Sequence, residues 1–302
     1  IDGSSTVYPI TEAVAEEFQK ETGIKVTVGV SGTGGGFKKF CRGETVISDA
    51  SRPIKAKEIA QCKEAGISFI ELPVAFDALT VVINPTNDWA KELTVEELKL
   101  AWEPEAQGKI MNWSQVRPGM PDQPLHLFGP GADSGTFDYF TESIIKKSKA
   151  IRGDFTASED DNVLVTGVAG DKGGMGYFGL AYYLENKDKL TAVAVKNKDG
   201  KFVLPSRETV MDGSYNPLAR PLFIYLNANK SAFDPKVKKF VEYYLKNAGK
   251  MSSEVGYIPL TAEEYQAITN HYVKLKTGSA FGGKAEIGLK VEEILKRVQD
   301  ND

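Results

Sequence analysis

The sequence of 302 residues is poor in histidine and cysteine, with two of each, and no stretch of it is apolar for long. With only His126 and His271 available, no grouping of His, Cys and carboxylates at ligand spacing arises, so no metal site is expected. A GxSxG elbow and a Walker pattern are also missing. GMGYFG at 174–179 satisfies GxGxxG, yet Tyr177-Phe178 reads better as strand than as a pyrophosphate turn. His126 sits in the run LHLF and reads as structural rather than catalytic. The longest apolar runs, such as ALTVVI and PLFIYL, fall far short of the ~20 residues a membrane-spanning helix requires. The formal charge is −4 and no basic run interleaves with aromatics, which excludes nucleic acid as a partner. A hydrophobic content of 41% with 26% charged residues is that of an ordinary globular protein, and the length predicts two domains.

Cys41 and Cys62 lie about twenty residues apart, and a bond between them would close a loop worth about 3 kcal/mol. Neither CxxC spacing nor a nearby His points to metal or redox work. A disulfide and an oxidising compartment are therefore expected, with two buried thiols in a cytosolic protein as the alternative. The sequence starts at IDGSSTVYPI without Met, which is read as a chain from which a targeting leader was removed.

Along the chain strands and helices alternate. Pro9, Ile10, Val14 and Phe18 at helical spacing predict a helix over 9–22 that stops at Gly23. IKVTVGV alternates as a strand, SGTGGG reads as a turn feeding a short helix, and TVISDASRPI reads as a strand ending at Ser51-Arg52-Pro53. A helix through Ala60 and a strand at ISFIELPV follow. A second cycle begins after ALTVVINP, with a helix over 94–103, a strand at LHLFG, and a helix presenting Phe137, Phe140, Ile144 and Ile145 on one face. MGYFG and TAVAV add strands, and the tail from Asp234 is helical through Lys246. This order predicts an α/β fold with a mainly parallel sheet, which binds ligands at the carboxyl ends of its strands. ALTVVINP and RPLFIYLN read as two connections between lobes, giving 1–82 plus 226–302 as the first lobe and 83–225 as the second.

Three corners share one chemistry: GSST at 3–6, SGTGGG at 31–36 and DSGT at 133–136. Each opens a helix, where the first N–H groups lack partners and the dipole favours an anion, and Ser and Thr add adjustable donors. Simple N-capping is the alternative for each loop. Arg52 can pair with an anion through its planar fork, or cover the surface near Asp49.

The segments IDGSSTVYPITEAVAEEF, VSGTGGGFKKFCRGE, SDASRPI, LPVAFDALTVVIN, GADSGTFDYF and ARPLFIYLN, in this order, resemble the phosphate-binding proteins that serve ABC-type phosphate transporters. The resemblance runs to about Leu226. It implies a two-lobed type II periplasmic binding protein fold with two hinge strands. It also implies a non-enzymatic, extracytoplasmic protein, lipid-anchored or free, that closes over inorganic phosphate and delivers it to a membrane permease, acting as a monomer without a cofactor. The ligand positions it implies are Ser5, Thr6, Thr33, Gly34, Ser134, Gly135 and Thr136. Better-known members place an aspartate where this chain has Arg52, and an arginine where it has Pro130. Arg52 is therefore expected to supply the positive charge, and the carboxylate that accepts the phosphate proton is left open between Asp77 and Asp133, either of which could instead be a cap or a partner of Arg52. Sulfate, molybdate or a phosphonate as the anion, and a phosphoester-processing enzyme built on the same pocket, are the competing readings. The tail from Thr277, with its SAFGG stretch and an amphipathic helix around Val291–Val298, is expected to pack on the first lobe.

Overall fold

In a computed structural model that describes residues 1–132, 134–158, 160–284 and 291–300, strand β1 (Asp2–Gly3) turns into helix α1 (Tyr8–Thr22), with Pro9 in its first turn. Ile10, Val14 and Phe18 are fully buried, and Gly23 ends the helix at φ 70°. Strand β2 (Gly29–Val30) is all of IKVTVGV that pairs. Helix α2 spans Gly32–Cys41, so the glycine run lies inside the helix rather than in a turn before it. Close approach explains Gly36 and its neighbour Gly3. A Cβ on Gly36 would stand 2.5 Å from the Gly3 Cα, and one on Gly3, at φ 146°, would stand 2.2 Å from the Asp49 carbonyl oxygen. Strand β3 (Ile47–Ala50), helix α3 (Ala56–Glu64) and strand β4 (Phe69–Ile83) follow. The last merges ISFIELPV and ALTVVINP into a single strand of 15 residues, all buried.

Ala78–Ala219 form one compact unit; Ile1–Asp77 with Arg220–Asp302 form the other. Within the Ala78–Ala219 unit come β5 (Glu92–Leu93), α4 (Val95–Trp102), α5 (Trp113–Val116), β6 (His126–Gly129), α6 (Gly135–Phe140), β7 (Thr156–Ala157), α7 (Asp161–Gly170), β8 (Gly174–Gly179) and α8 (Leu180–Glu185). They are followed by β9 (Thr191–Ala192), β10 (Ala194–Lys196), β11 (Phe202–Val203) and α9 (Arg207–Met211). Its main sheet runs β4–β8–β6–β7, and a small one runs β11–β10–β5. The ring of Tyr177 stacks on Phe140 at 3.7 Å between centroids, with Trp102 edge-on at 5.0 Å from Tyr177. GMGYFG is strand β8, as its aromatic pair predicted. Strand alternation buries Leu125 and Leu127 and turns His126 outward, where it pairs with Asp171.

The other unit is completed by β12 (Ala219–Asn227), α10 (Ala228–Phe233), α11 (Pro235–Glu254), α12 (Ala262–Val273) and α13 (Val291–Asp300). Here β2, β1 and β3 are parallel neighbours and β12 runs antiparallel to β3. Phe18 meets Phe240 of α11 edge-on at 5.2 Å on one face. The other face holds Phe37, Phe40, Ile54, Phe69, Phe223, Tyr225 and Phe281. Burying a side chain of this size stabilises by ~2–3 kcal/mol. The Cys41–Cys62 disulfide forms as expected and ties α2 to α3. Among the described residues no helix is long and apolar enough to cross a membrane.

Candidate functional site

Because β1, β2 and β3 are parallel, their carboxyl ends lie along one edge of the sheet, and the segments that follow them hold Ser4–Thr6, Ser31–Gly34 and Ser51–Lys55. β12 is antiparallel, with Phe223 opposite Ala50, so its first residues, including Arg220, reach the same edge.

The hydroxyls along this edge do not simply cap helices. The Ser4 Oγ accepts from the Thr6 amide at 3.2 Å, α1 has no side-chain cap, and α2 has none either. Thr33 in the first turn of α2 meets the Ser51 hydroxyl at 3.1 Å and accepts from the Ser51 amide at 3.2 Å, which locks the second corner to the third. Ser5 is exposed, and Thr6 is buried.

Two guanidinium groups stand at this edge, each with a carboxylate of the same unit. Arg52 donates through both terminal nitrogens to Glu58, at 2.9 and 2.8 Å, and to the Pro53 carbonyl at 3.0 Å. Its fork lies over the Phe37 ring, and a Cβ on Gly34 would come within 3.8 Å of it. Arg52 therefore neither covers Asp49 nor uses Asp77. Glu58 holds it from the first turn of α3, where it also accepts from the Lys55 amide at 2.8 Å. Thr33, Gly34, Ser51 and Arg52 are thus gathered by two helix starts.

The second guanidinium belongs to Arg220, which sequence reasoning did not single out. It donates to Asp77 from Nε at 3.3 Å and pairs with the same oxygen through Nη2 at 3.2 Å, and Nη2 donates to the Thr6 hydroxyl at 3.2 Å. Asp77 is 3% exposed; burial pushes its carboxyl above the usual range and the Arg220 charge opposes that rise. A sequence signal existed: LPVAFDALTVVIN and ARPLFIYLN each carry a charge inside a buried apolar run, and such charges are rarely buried without a partner.

Asp49, next to this edge but turned away from it, is wholly buried in β3. Its carboxyl is pushed up to about 7 by burial, against the opposing influence of the Thr11 hydroxyl and the Ile1 amino group.

In the Ala78–Ala219 unit, Ser134 is the N-cap of α6, its hydroxyl accepting from the Thr136 amide at 3.1 Å. Gly135 and Thr136 form the first turn. The capping alternative describes this hydroxyl. Asp133 lies outside the described residues. Among the described residues no group of three His, Cys, Asp or Glu side chains could hold a metal ion.

A family model described as a PBP superfamily domain matches residues 1–248. The protein SphX of Synechococcus elongatus is 55% identical over 296 residues, covering 98% of this chain and 87% of its own length. The phosphate-binding protein PstS of Staphylococcus saprophyticus is 40% identical over 267 residues, covering 87% and 81%. Among solved structures, one described as a possible phosphate binding protein from Planctomyces limnophilus superposes with a TM-score of 0.86 at 46% identity, covering 91% of this chain and 96% of that one.

Proposed function

This chain belongs to the PBP superfamily and has the α/β fold of type II periplasmic binding proteins, and from that premise we propose that it captures inorganic phosphate outside the cytoplasm and delivers it to the membrane permease of an ABC-type transporter. The observation that carries this reading is the sheet edge where Thr6, Thr33, Ser51, Arg52 and Arg220 follow or precede parallel and antiparallel neighbours in register. Relatives named phosphate-binding proteins support the choice of anion, and the Cys41–Cys62 disulfide supports an oxidising compartment.

Ser5, Thr6, Thr33, Gly34 and Arg52 are the proposed ligands in the N-terminal unit, with Arg220 added. Ser134, Gly135 and Thr136 are the proposed ligands in the Ala78–Ala219 unit. Each guanidinium already faces a carboxylate, Glu58 or Asp77, so the anion is held by directed hydrogen bonds rather than by surplus charge. Micromolar affinity needs ~8 kcal/mol, and hydrogen bonds to a charged group supply ~1.5–3 kcal/mol each. A handful suffices. Asp77 is the proposed acceptor for the proton that phosphate carries and sulfate lacks. Binding rather than turnover is proposed, in line with the relatives named phosphate-binding proteins.

Calorimetry with phosphate and with sulfate at pH 6 and pH 8 tests the reading. One phosphate per chain with micromolar or tighter affinity, and at least a hundredfold weaker sulfate binding, is expected. Preference for sulfate, or no heat with phosphate, would overturn it.

A further inference from the structure

Next to the turn that carries Arg52 lies a fully buried carboxylate. Glu71, the third residue of β4, has no exposed surface. Its Oε2 accepts from the Tyr225 hydroxyl at 2.7 Å and from the Ser279 hydroxyl at 2.7 Å, and its Oε1 accepts from the Ala280 amide at 3.0 Å. Burial pushes its carboxyl up to about 6, and the three donors, each of which needs an acceptor, oppose that rise.

These donors come from two places that matter to the site. Tyr225 not only donates to Glu71; its oxygen also accepts from the Ile54 amide at 2.9 Å. Ile54 closes the turn that begins at Ser51 and carries Arg52. Ser279 and Ala280 belong to the SAFGG stretch of the tail, whose ends are fastened too: the Gly278 amide donates to the Phe69 carbonyl at 2.9 Å, and the Gly283 carbonyl accepts from the Ala56 amide at 3.2 Å. Ala56 is the first residue of α3, the helix that presents Glu58 to Arg52. Phe281 fills the cluster around Phe37, Ile54 and Tyr225 from the same side. The turn is thus held in front by Thr33 and Glu58 and from behind by Tyr225 and Gly283.

Burying a carboxylate costs several kcal/mol even after relaxation, and an apolar side chain would fill this space without that penalty. What the carboxylate adds is direction: its two oxygens fix three donors whose positions a hydrocarbon would leave free. We propose that Glu71 is a positioning residue of the anion site, which fastens the tail segment 278–283 and, through Tyr225, the Ile54 amide, so that the turn bearing Ser51 and Arg52 is set before the anion arrives. This rests on the phosphate-binding reading above.

Tyr225→Phe in the full chain removes the link to Ile54 while keeping a ring against Phe37, Phe69 and Phe223. The expected result is phosphate binding weakened about five- to tenfold, the equivalent of one hydrogen bond, with faster hydrogen exchange at the Ile54 amide. Thr11→Ala, which breaks the buried Thr11–Tyr244 contact of 3.0 Å elsewhere in the same unit, is the control for general loosening: its melting point falls and its phosphate affinity stays. If Tyr225→Phe does not fold, Ser279→Ala takes its place, with a loss of about threefold or more expected. Wild-type affinity in the Tyr225 or Ser279 variant, or an equal loss in the Thr11 variant, overturns the positioning role. A wild-type protein that ignores phosphate would instead sink the functional reading itself, and this proposal with it.

Discussion

Replacing Arg220 by Met keeps most of the side-chain volume but removes both contacts to Asp77 and the one to Thr6. The carboxylate is left at 3% exposure without that guanidinium. Breaking one partner out of a buried pair costs ~3–5 kcal/mol, because the remaining charge stays desolvated. The pH dependence has a definite sign. The Asp77 carboxyl already lies above the usual carboxylate range, with burial raising it and Arg220 opposing, so losing Arg220 raises it further. A carboxyl with an elevated folded value contributes its stability fully below the unfolded value of ~3.9 and loses it as pH rises through the folded one. Arg220→Met should therefore trail the wild type little near pH 4 and most at pH 8. Urea melts of wild type, Arg220→Met, Asp77→Asn and the double variant at pH 4.5, 6 and 8 measure this. The double variant should recover part of the loss, with a coupling energy of ~1–3 kcal/mol, while phosphate affinity falls at least tenfold in both chains lacking the arginine. Strict additivity, or an Arg220→Met protein as stable as wild type at pH 8, would refute the reasoning.

Arg52→Ala should weaken phosphate binding at least tenfold by calorimetry; an unchanged isotherm would place the Arg52–Glu58 pair outside the site. Asp49, held at about 7 in the fold, should cost the protein on the order of 4 kcal/mol between pH 4 and pH 8; Asp49→Asn removes that slope, and parallel stability curves for the two proteins would contradict it. Changing Cys41 and Cys62 together to Ser should lower unfolding free energy by about 3 kcal/mol, read as a drop in the urea midpoint that dithiothreitol reproduces in the wild type. Equal midpoints with and without the bond would count against the loop-entropy account.

Where local chemistry decides the outcome, the chain could be read directly. Pro9, the Ile10–Val14–Phe18 spacing and Gly23 fix α1 at both ends, and the strand-to-helix corners that hold Thr6 and Thr33 stand out as runs of Ser, Thr and Gly. Where tertiary contact decides, reading failed. IKVTVGV alternates well, yet only Gly29 and Val30 find a neighbouring strand, because β1 is itself two residues long. The glycines at 34–36 read as a turn in sequence because the use of the last of them, Gly36, which lets α2 lie against Gly3, depends on a residue far back in the chain. Arg220 was passed over for the same reason: inside ARPLFIYLN it is one charge in an apolar strand, and its meaning appears only when Asp77 and Thr6 are beside it.

The latch around Glu71 bears on how the chain may be shortened. The family model matches only as far as residue 248, and trimming at that limit would look safe on paper. It would discard Ser279, Ala280 and Gly283, two of the three donors to a buried anionic side chain and the carbonyl under the start of α3. A truncated version should therefore be judged by its affinity as well as by its solubility, and tags or reporter proteins belong after the last helix rather than in place of the tail.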